Sequence, residues 1–117
     1  MDFADRIRER REEFTTGFRG PFSQRQVALR VGFQPAYLSK LERGLVPPPS
    51  EEKIVRLAAE LDLDPDELLA LAGKVASDLQ GIIRERPPLF GRLIRGLKDA
   101  PDDHIRLLAD RSEQGDW

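Results

Sequence analysis

Apolar residues recur at helical spacing along most of this chain, and each stripe stops at a Gly, a Pro or a capping residue. Phe3, Ile7 and Phe14 share one face of a first predicted helix over 2–14, which a Gly/Pro loop at 15–21 (TTGFRGP) follows. Ser23 caps a short second helix of about 24–31 and turns Val27, Ala28 and Val31 inward. Gly32 stands just past its end, where glycine takes the left-handed conformation most easily. Pro35 suits the first turn of a third helix over 35–43; Gly44 ends it, and 45–49 (LVPPP) cannot be helical. Ser50 caps a fourth helix striped by Ile54, Leu57, Ala58 and Leu61. Asp64-Pro65-Asp66-Glu67 reads as a capping box opening a fifth helix, which Gly73 closes. Residues 74–86 predict a sixth helix, with Val75, Leu79, Ile82 and Ile83 in phase, broken by Pro87-Pro88. Leu89, Phe90, Leu93, Ile94 and Leu97 stripe a seventh, and Pro101 opens an eighth with Ile105, Leu108 and Ala109 inward. The final SEQGDW is expected to be a loose tail. With no alternating β-branched run and no Asn-Gly hairpin turn, the predicted fold class is all-α.

Composition narrows the chemistry. A chain of 117 residues allows one domain, or a small domain with an appendage. Without cysteine there is no disulfide framework, thiolate metal site or cysteine nucleophile. The single histidine, His104, leaves only carboxylates for a metal, and no calcium-type loop occurs, so neither metal nor cofactor is expected. No apolar run approaches the about 18 residues of a membrane span, and the N-terminal stretch lacks a secretory apolar core. The expectation is a cytoplasmic protein that is not an enzyme. Asp102, Asp103 and His104 are adjacent, but they fall in the acid-favouring first turn of the eighth helix, which reads as solvated rather than catalytic. The glycines fall at loops, caps or singly, so no phosphate-cradling loop exists. The net charge of −2 hides two unlike parts. Residues 1–44 carry nine Lys and Arg against six acids, whereas 45–117 carry ten against fifteen. That asymmetry suits a polyanion-facing front and a solubilising back.

The informative stretch is 23–44, SQRQVALRVGFQPAYLSKLERG, where two short helices joined by a glycine-centred turn form a helix-turn-helix. On the second of these, Leu38 and Leu41 stand i, i+3 and must face the core. Ala36, Ser39, Lys40 and Arg43 therefore share the opposite, exposed face. Small, polar and basic side chains on one face suit a helix entering a major groove. Gln24 stands at the start of the first helix, where its amide and nearby backbone N–H groups can meet a phosphate. The same pattern would also fit a helical hairpin whose outer face is merely solvated.

Sequence detail favours the first alternative. Ser23-Gln24, Ala28, Gly32, Tyr37-Leu38-Ser39 and Leu41-Glu42-Arg43-Gly44 together resemble the lambda-repressor/Cro-type helix-turn-helix, the XRE family of bacterial and phage transcription regulators. Pro49-Ser50 and the run LAAELDLDPDELL at 57–69 fit that family's fourth and fifth helices. The resemblance implies a five-helix lambda-repressor-like DNA-binding domain over 1–72 that docks its third helix in the major groove, usually as a dimer. The family's base-reading positions fall on Pro35, Ala36, Ser39 and Lys40, with Gln34 and Tyr37 at the groove edge. Its phosphate-anchoring positions fall on Gln24, Arg43 and the residues after Gly44. Arg11 and Glu42 match a pair that bridges helices one and three in many relatives, read here as scaffold rather than DNA contact.

Three departures stand out. Gln34 occupies a position where relatives carry a capping Ser, Thr or Asp. The 15–22 loop is longer than usual, and its Phe residues fit either a plug at the core edge or a DNA-contacting arm around Arg19. Pro35 and Ala36 offer no side-chain donor, which leaves direct readout to Ser39, Lys40 and Gln34, thymine methyls to Ala36, and part of the specificity to DNA shape.

Residues 73–117 add a helical C-terminal extension. Leu79, Ile82, Ile83, Leu89, Phe90, Leu93, Ile94, Leu97, Ile105 and Leu108 exceed what a five-helix body can cover, and each left exposed forgoes about 1.5–3 kcal/mol. Homodimerisation through this segment is the leading expectation and a cap on its own N-terminal domain the alternative. The extension also loosely resembles that of XRE repressors encoded beside ImmA/IrrE-type metallopeptidases, which cleave them. The expected function is thus a dimeric, sequence-specific repressor whose partners are a double-stranded DNA operator and a second copy. The alternatives are an antitoxin that autoregulates its operon with a toxin partner, a metallopeptidase target, or a protein-interaction module without DNA binding.

Overall fold

The computed structural model describes residues 1–16 and 22–117. Those residues form eight helices and no strand: α1 (Phe3–Thr16), α2 (Gln24–Val31), α3 (Pro35–Glu42), α4 (Glu51–Glu60), α5 (Pro65–Leu71), α6 (Ser77–Glu85), α7 (Pro87–Gly96) and α8 (Asp102–Gln114). The chain divides into two compact units, Met1–Ala76 and Ser77–Trp117. The expected all-α architecture, five helices followed by three, is the one observed.

In the first unit the predicted stripes meet in one core. Ile7 of α1, Val27 and Val31 of α2, Leu38 and Leu41 of α3, Ile54 and Leu57 of α4, and Leu68 and Leu69 of α5 are all buried. Helix α4 lies against α5 and α2, α2 against α3, and α1 against α3 and α5. The helix ends carry the devices that their residues permit. Ser23 accepts from Gln26 N at 3.2 Å and Gln26 Oε1 accepts from Ser23 N at 3.3 Å, a complete capping box. Asp64 accepts from Asp66 N at 2.9 Å, but Glu67 turns away from the cap and meets Arg6 Nε at 2.9 Å. What reads in sequence as a capping box is therefore half cap and half tie between α5 and α1. Arg10 adds a second tie, donating from Nε to Leu61 O at 2.9 Å and from Nη2 to Asp62 O at 3.0 Å.

Three boundaries differ from expectation. Helix α1 runs to Thr16, and Thr15 Oγ1 donates back to Arg11 O at 2.9 Å. Helix α6 begins at Ser77 rather than 74, because Gly73 (φ 75°) closes α5 and Lys74 N returns to Leu69 O at 2.9 Å. Val75 thus precedes the helix instead of joining its stripe. At the other end α8 continues through Ser112 to Gln114, and left-handed Gly115 stops it, so the first half of the expected tail is helix. Within the second unit α6 packs on α7, yet none of α6, α7 or α8 contains a buried residue.

Gly32 (φ 91°) ends α2 with its N–H on Ala28 O at 2.9 Å, and Lys53 Nζ donates to Val31 O at 3.2 Å. A Cβ on Gly32 would stand 2.7 Å from that ammonium. Gly32→Ala combines left-handed strain with loss of the Lys53 cap and should cost about 1–2 kcal/mol in urea-unfolding free energy. An unchanged unfolding midpoint would show the turn to be unstrained.

Candidate nucleic-acid interface

Helix α3 is positioned by what lies behind it. Leu38 and Leu41 point into the core, and beside them Glu42 is buried to 2% exposure. Its carboxylate receives Arg11 in a two-pronged pair, Nε to Oε2 at 2.7 Å and Nη2 to Oε1 at 2.9 Å. Gln24 Nε2 donates to the same Oε1 at 3.1 Å. Arg11 Nη1 also reaches Phe22 O at 3.3 Å, and Arg8 Nη1 reaches Glu42 O at 3.3 Å. The hydrogen bonds to Glu42, more than the opposing desolvation, push the Arg11 pKa up and hold the guanidinium charged. One carboxylate thus joins α1, α2 and α3.

The outer side of α3 carries no acid, since Glu42 is the only one in the helix and it is buried. Ala36, Lys40 and Arg43 are exposed, and Ser39 and Pro35 are half-buried beside them. Arg43 donates from Nε to Ser39 O at 3.3 Å, and its two terminal nitrogens carry no bond among the described residues. Gln34 is exposed and makes no side-chain cap bond, so the missing cap leaves a free amide at the helix start. Tyr37 is half-buried and tilts against Phe33 at 5.0 Å between ring centroids. The structure therefore brings Gln34, Ala36, Ser39, Lys40 and Arg43 onto one accessible surface, with Tyr37 held at its margin.

Two positions differ from their sequence-based expectation. Gln24 does not present a free amide, because one of its N–H groups goes to Glu42; only the other remains for a phosphate. In the stretch after Gly44, Gly44 N returns to Leu41 O at 3.1 Å and Leu45 N to Lys40 O at 2.9 Å. Pro47, Pro48 and Pro49 have no N–H, so Val46 keeps the one uncommitted backbone donor of 44–49. The Gln24–Glu42 bond has no sequence signal beyond the Arg11–Glu42 match, whereas the proline run already announces the shortage of donors. Of the long loop, Phe14 is buried and meets half-buried Phe22 edge to face at 5.0 Å. Arg10 covers Phe14 and Arg30 covers Phe22, each at 4.8 Å. The expectations for Phe18 and Arg19 lie outside the described residues.

A family model described as a helix-turn-helix domain matches residues 2–71, more than half of the chain. The chain belongs to the helix-turn-helix domain family. It carries that family's coarse function, a DNA-binding transcriptional regulator. A solved structure titled a SinR protein/SinI protein complex is similar in fold, at 21% identity and a TM-score of 0.51. The match covers 96% of this chain and 95% of that one. No curated protein matches the sequence at a significant level. Among the described residues of this helix-turn-helix protein no helix is long and apolar enough to cross a membrane, and no group of acids and histidine could hold a metal.

Breaking the Arg11–Glu42 pair from one side strands a buried charge, so Arg11→Met should lower stability by about 3–5 kcal/mol. Arg11→Met with Glu42→Leu should recover most of that loss in a double-mutant cycle, and additive losses would refute the coupling. Burial raises the pKa of Tyr37, the only tyrosine, so near-ultraviolet titration should place phenol ionisation above its ordinary value of 10.0. The neutral ring's contribution is complete below the unfolded value of about 10 and is lost as pH rises through the raised one. An ordinary midpoint would mean that the ring is not held against Phe33.

Proposed function

We propose that this protein is a dimeric, sequence-specific transcriptional repressor that lays α3 in the major groove of its operator. The observation that carries the reading is the sorting of α3: its only acid is buried and paired, while Lys40 and Arg43 stand exposed with Ala36 and Ser39. An acid-free ridge of small and basic side chains can approach base edges without repelling the phosphates on either side. Ser39, Lys40 and Gln34 supply the base-reading donors, Ala36 and Pro35 the apolar contact, and Tyr37 borders the groove. Arg43, the second N–H of Gln24 and the Val46 N–H anchor phosphates, which fixes register rather than sequence. The function is binding, with no catalytic group and no cofactor.

Dimerisation is assigned to 73–117, on the ground that Leu89 at 58%, Leu93 at 54% and Ile94 at 55% exposure need a cover that their own unit does not supply. Two copies would set two recognition helices about one DNA turn, about 34 Å, apart. The protein of similar fold is titled as a complex with a second protein, so association with a different chain is the reading to test against a homodimer.

A mobility shift on the protein's own upstream DNA, with random competitor at near-physiological salt, tests the repressor reading. A shift that survives competitor is expected, and its half-site spacing reports the dimer. Lys40→Ala and Ser39→Ala should each lose about 1–3 kcal/mol on the operator and much less on random DNA. Equal loss on both sequences would assign Lys40 to phosphate, and no specific shift from folded protein would overturn the reading.

A further inference from the structure

In the first unit, ion pairs occupy most of the basic side chains. Arg6, Arg8, Arg10, Arg11, Arg30 and Arg56 each meet a carboxylate within 3.3 Å. Lys53 donates to Val31 O and stands over the Phe33 ring. Among the described residues of 1–76 that leaves Arg25, Lys40, Arg43 and Lys74 without an ion pair. Lys40 and Arg43 belong to the outer surface of α3, and Lys74 lies past Gly73, outside the helix-turn-helix. The remaining one is Arg25, exposed in the first turn of α2.

That position disfavours a cation, because the first turn is the positive end of a helix and acids are the residues that stabilise it. In the same unit α1 opens with Asp5, α4 with Glu51 and Glu52, and α5 with Asp66 and Glu67. Helix α2 carries no acid anywhere, so no carboxylate of its own helix screens Arg25. Glu42, which Gln24 reaches from the preceding position, is already held by both prongs of Arg11. Arg25 therefore works against α2 in the free protein, and an opposite charge from outside the chain would reverse that sign. The Gln24–Glu42 bond ties the start of α2 to the end of α3, and Arg25 and Arg43 are the residues next in sequence to its two partners. Beside an α3 seated in a major groove, the negative charge on offer is the phosphate backbone.

We propose that Arg25 is a further phosphate-gripping residue of the DNA interface, holding the backbone that flanks the groove entered by α3. It adds affinity and register on any sequence and reads no base. The inference rests on the reading that α3 enters the major groove, and it extends the interface from α3 to the outer side of α2.

The test measures binding of the full-length protein to its own upstream DNA and to a random duplex, by fluorescence anisotropy from 50 to 200 mM salt. Each phosphate contact contributes about 0.9 to the slope of log K against log salt. Arg25→Gln should lower that slope by about one on both DNAs. Its deficit against the parent should then be about threefold larger at 50 mM than at 200 mM salt. Arg25→Lys keeps the charge and should keep the slope. Arg56→Gln removes an exposed cation that is paired with Glu52 on α4, and it should leave the slope unchanged. The urea midpoint of Arg25→Gln should be no lower than the parent's. An unchanged slope and affinity for Arg25→Gln would overturn the proposal, and so would an equal effect from Arg56→Gln, which would mean net charge rather than contact. Loss confined to the upstream DNA would make Arg25 a base reader instead. A parent that binds both DNAs equally would overturn the sequence-specific reading alone, since the slope on random duplex still decides Arg25. A folded parent that binds neither would remove both.

Discussion

Glu42 carries a full charge where water solvates almost none of it, at 2% exposure, so its solvation has to come from the protein. A carboxylate moved into a low-dielectric interior loses several kcal/mol of solvation even after relaxation, which only well-placed donors and an opposite charge offset. Arg11 supplies both prongs of a guanidinium and Gln24 a third donor, from two different helices. That requirement is directional, unlike the burial of Leu38 and Leu41, which would tolerate a small roll of α3. A roll large enough to detach Glu42 would strand the charge, so the pair fixes the rotation of α3 about its axis. The rotation decides which side chains face outward. The basic, acid-free surface of Lys40 and Arg43 is therefore a consequence of where the only acid of α3 is anchored.

The same anchor bears on Gln24, proposed above as a phosphate ligand. Its amide has two N–H groups, and spending one on Glu42 orients the other. A donor already oriented loses little further freedom on meeting a ligand, so the bond to Glu42 trades capacity for positioning. Gly32 and Pro35 act at the next level, since the first permits the left-handed exit from α2 and the second presets the first turn of α3. Between them the two helices have little freedom to change their angle.

Most of this was legible in the residues. Period-3.6 stripes placed every helix, because each stripe of the first unit ends in a single shared core. The shifted boundaries depend on local hydrogen bonds, such as Thr15 Oγ1 to Arg11 O, or on a terminating glycine, and not on the apolar stripes. Glu67 fits a capping box by spacing alone, yet Arg6 draws it away, a competition that only packing reveals. The run SEQGDW looks too polar to be ordered, but Gly115 sits where a helix C-terminus needs it, and the three residues before it stay helical. On the recognition surface, the exposed positions followed from the i, i+3 placement of Leu38 and Leu41. What did not follow was which donors the fold had already used, since Gln24 and the backbone after Gly44 look equally available in sequence.

The two units handle apolar surface in opposite ways. The first closes its core by crossing helices from distant parts of the chain, and polar ties such as Arg10 to Leu61 O hold the crossings. The second has too few residues to close one, as expected of about 40 residues without disulfide or metal. Its helices still need a face to bury against. Were that face wholly apolar, the unpaired chain would bind any exposed hydrophobic surface, and neither partner nor orientation would be specified. The basic residues of 84–98 and the acids of 99–117 keep that unit from presenting a wholly apolar surface. For the dimer proposed above, which would set two α3 helices at a fixed spacing on DNA, orientation matters as much as affinity, and charge is one way to specify it.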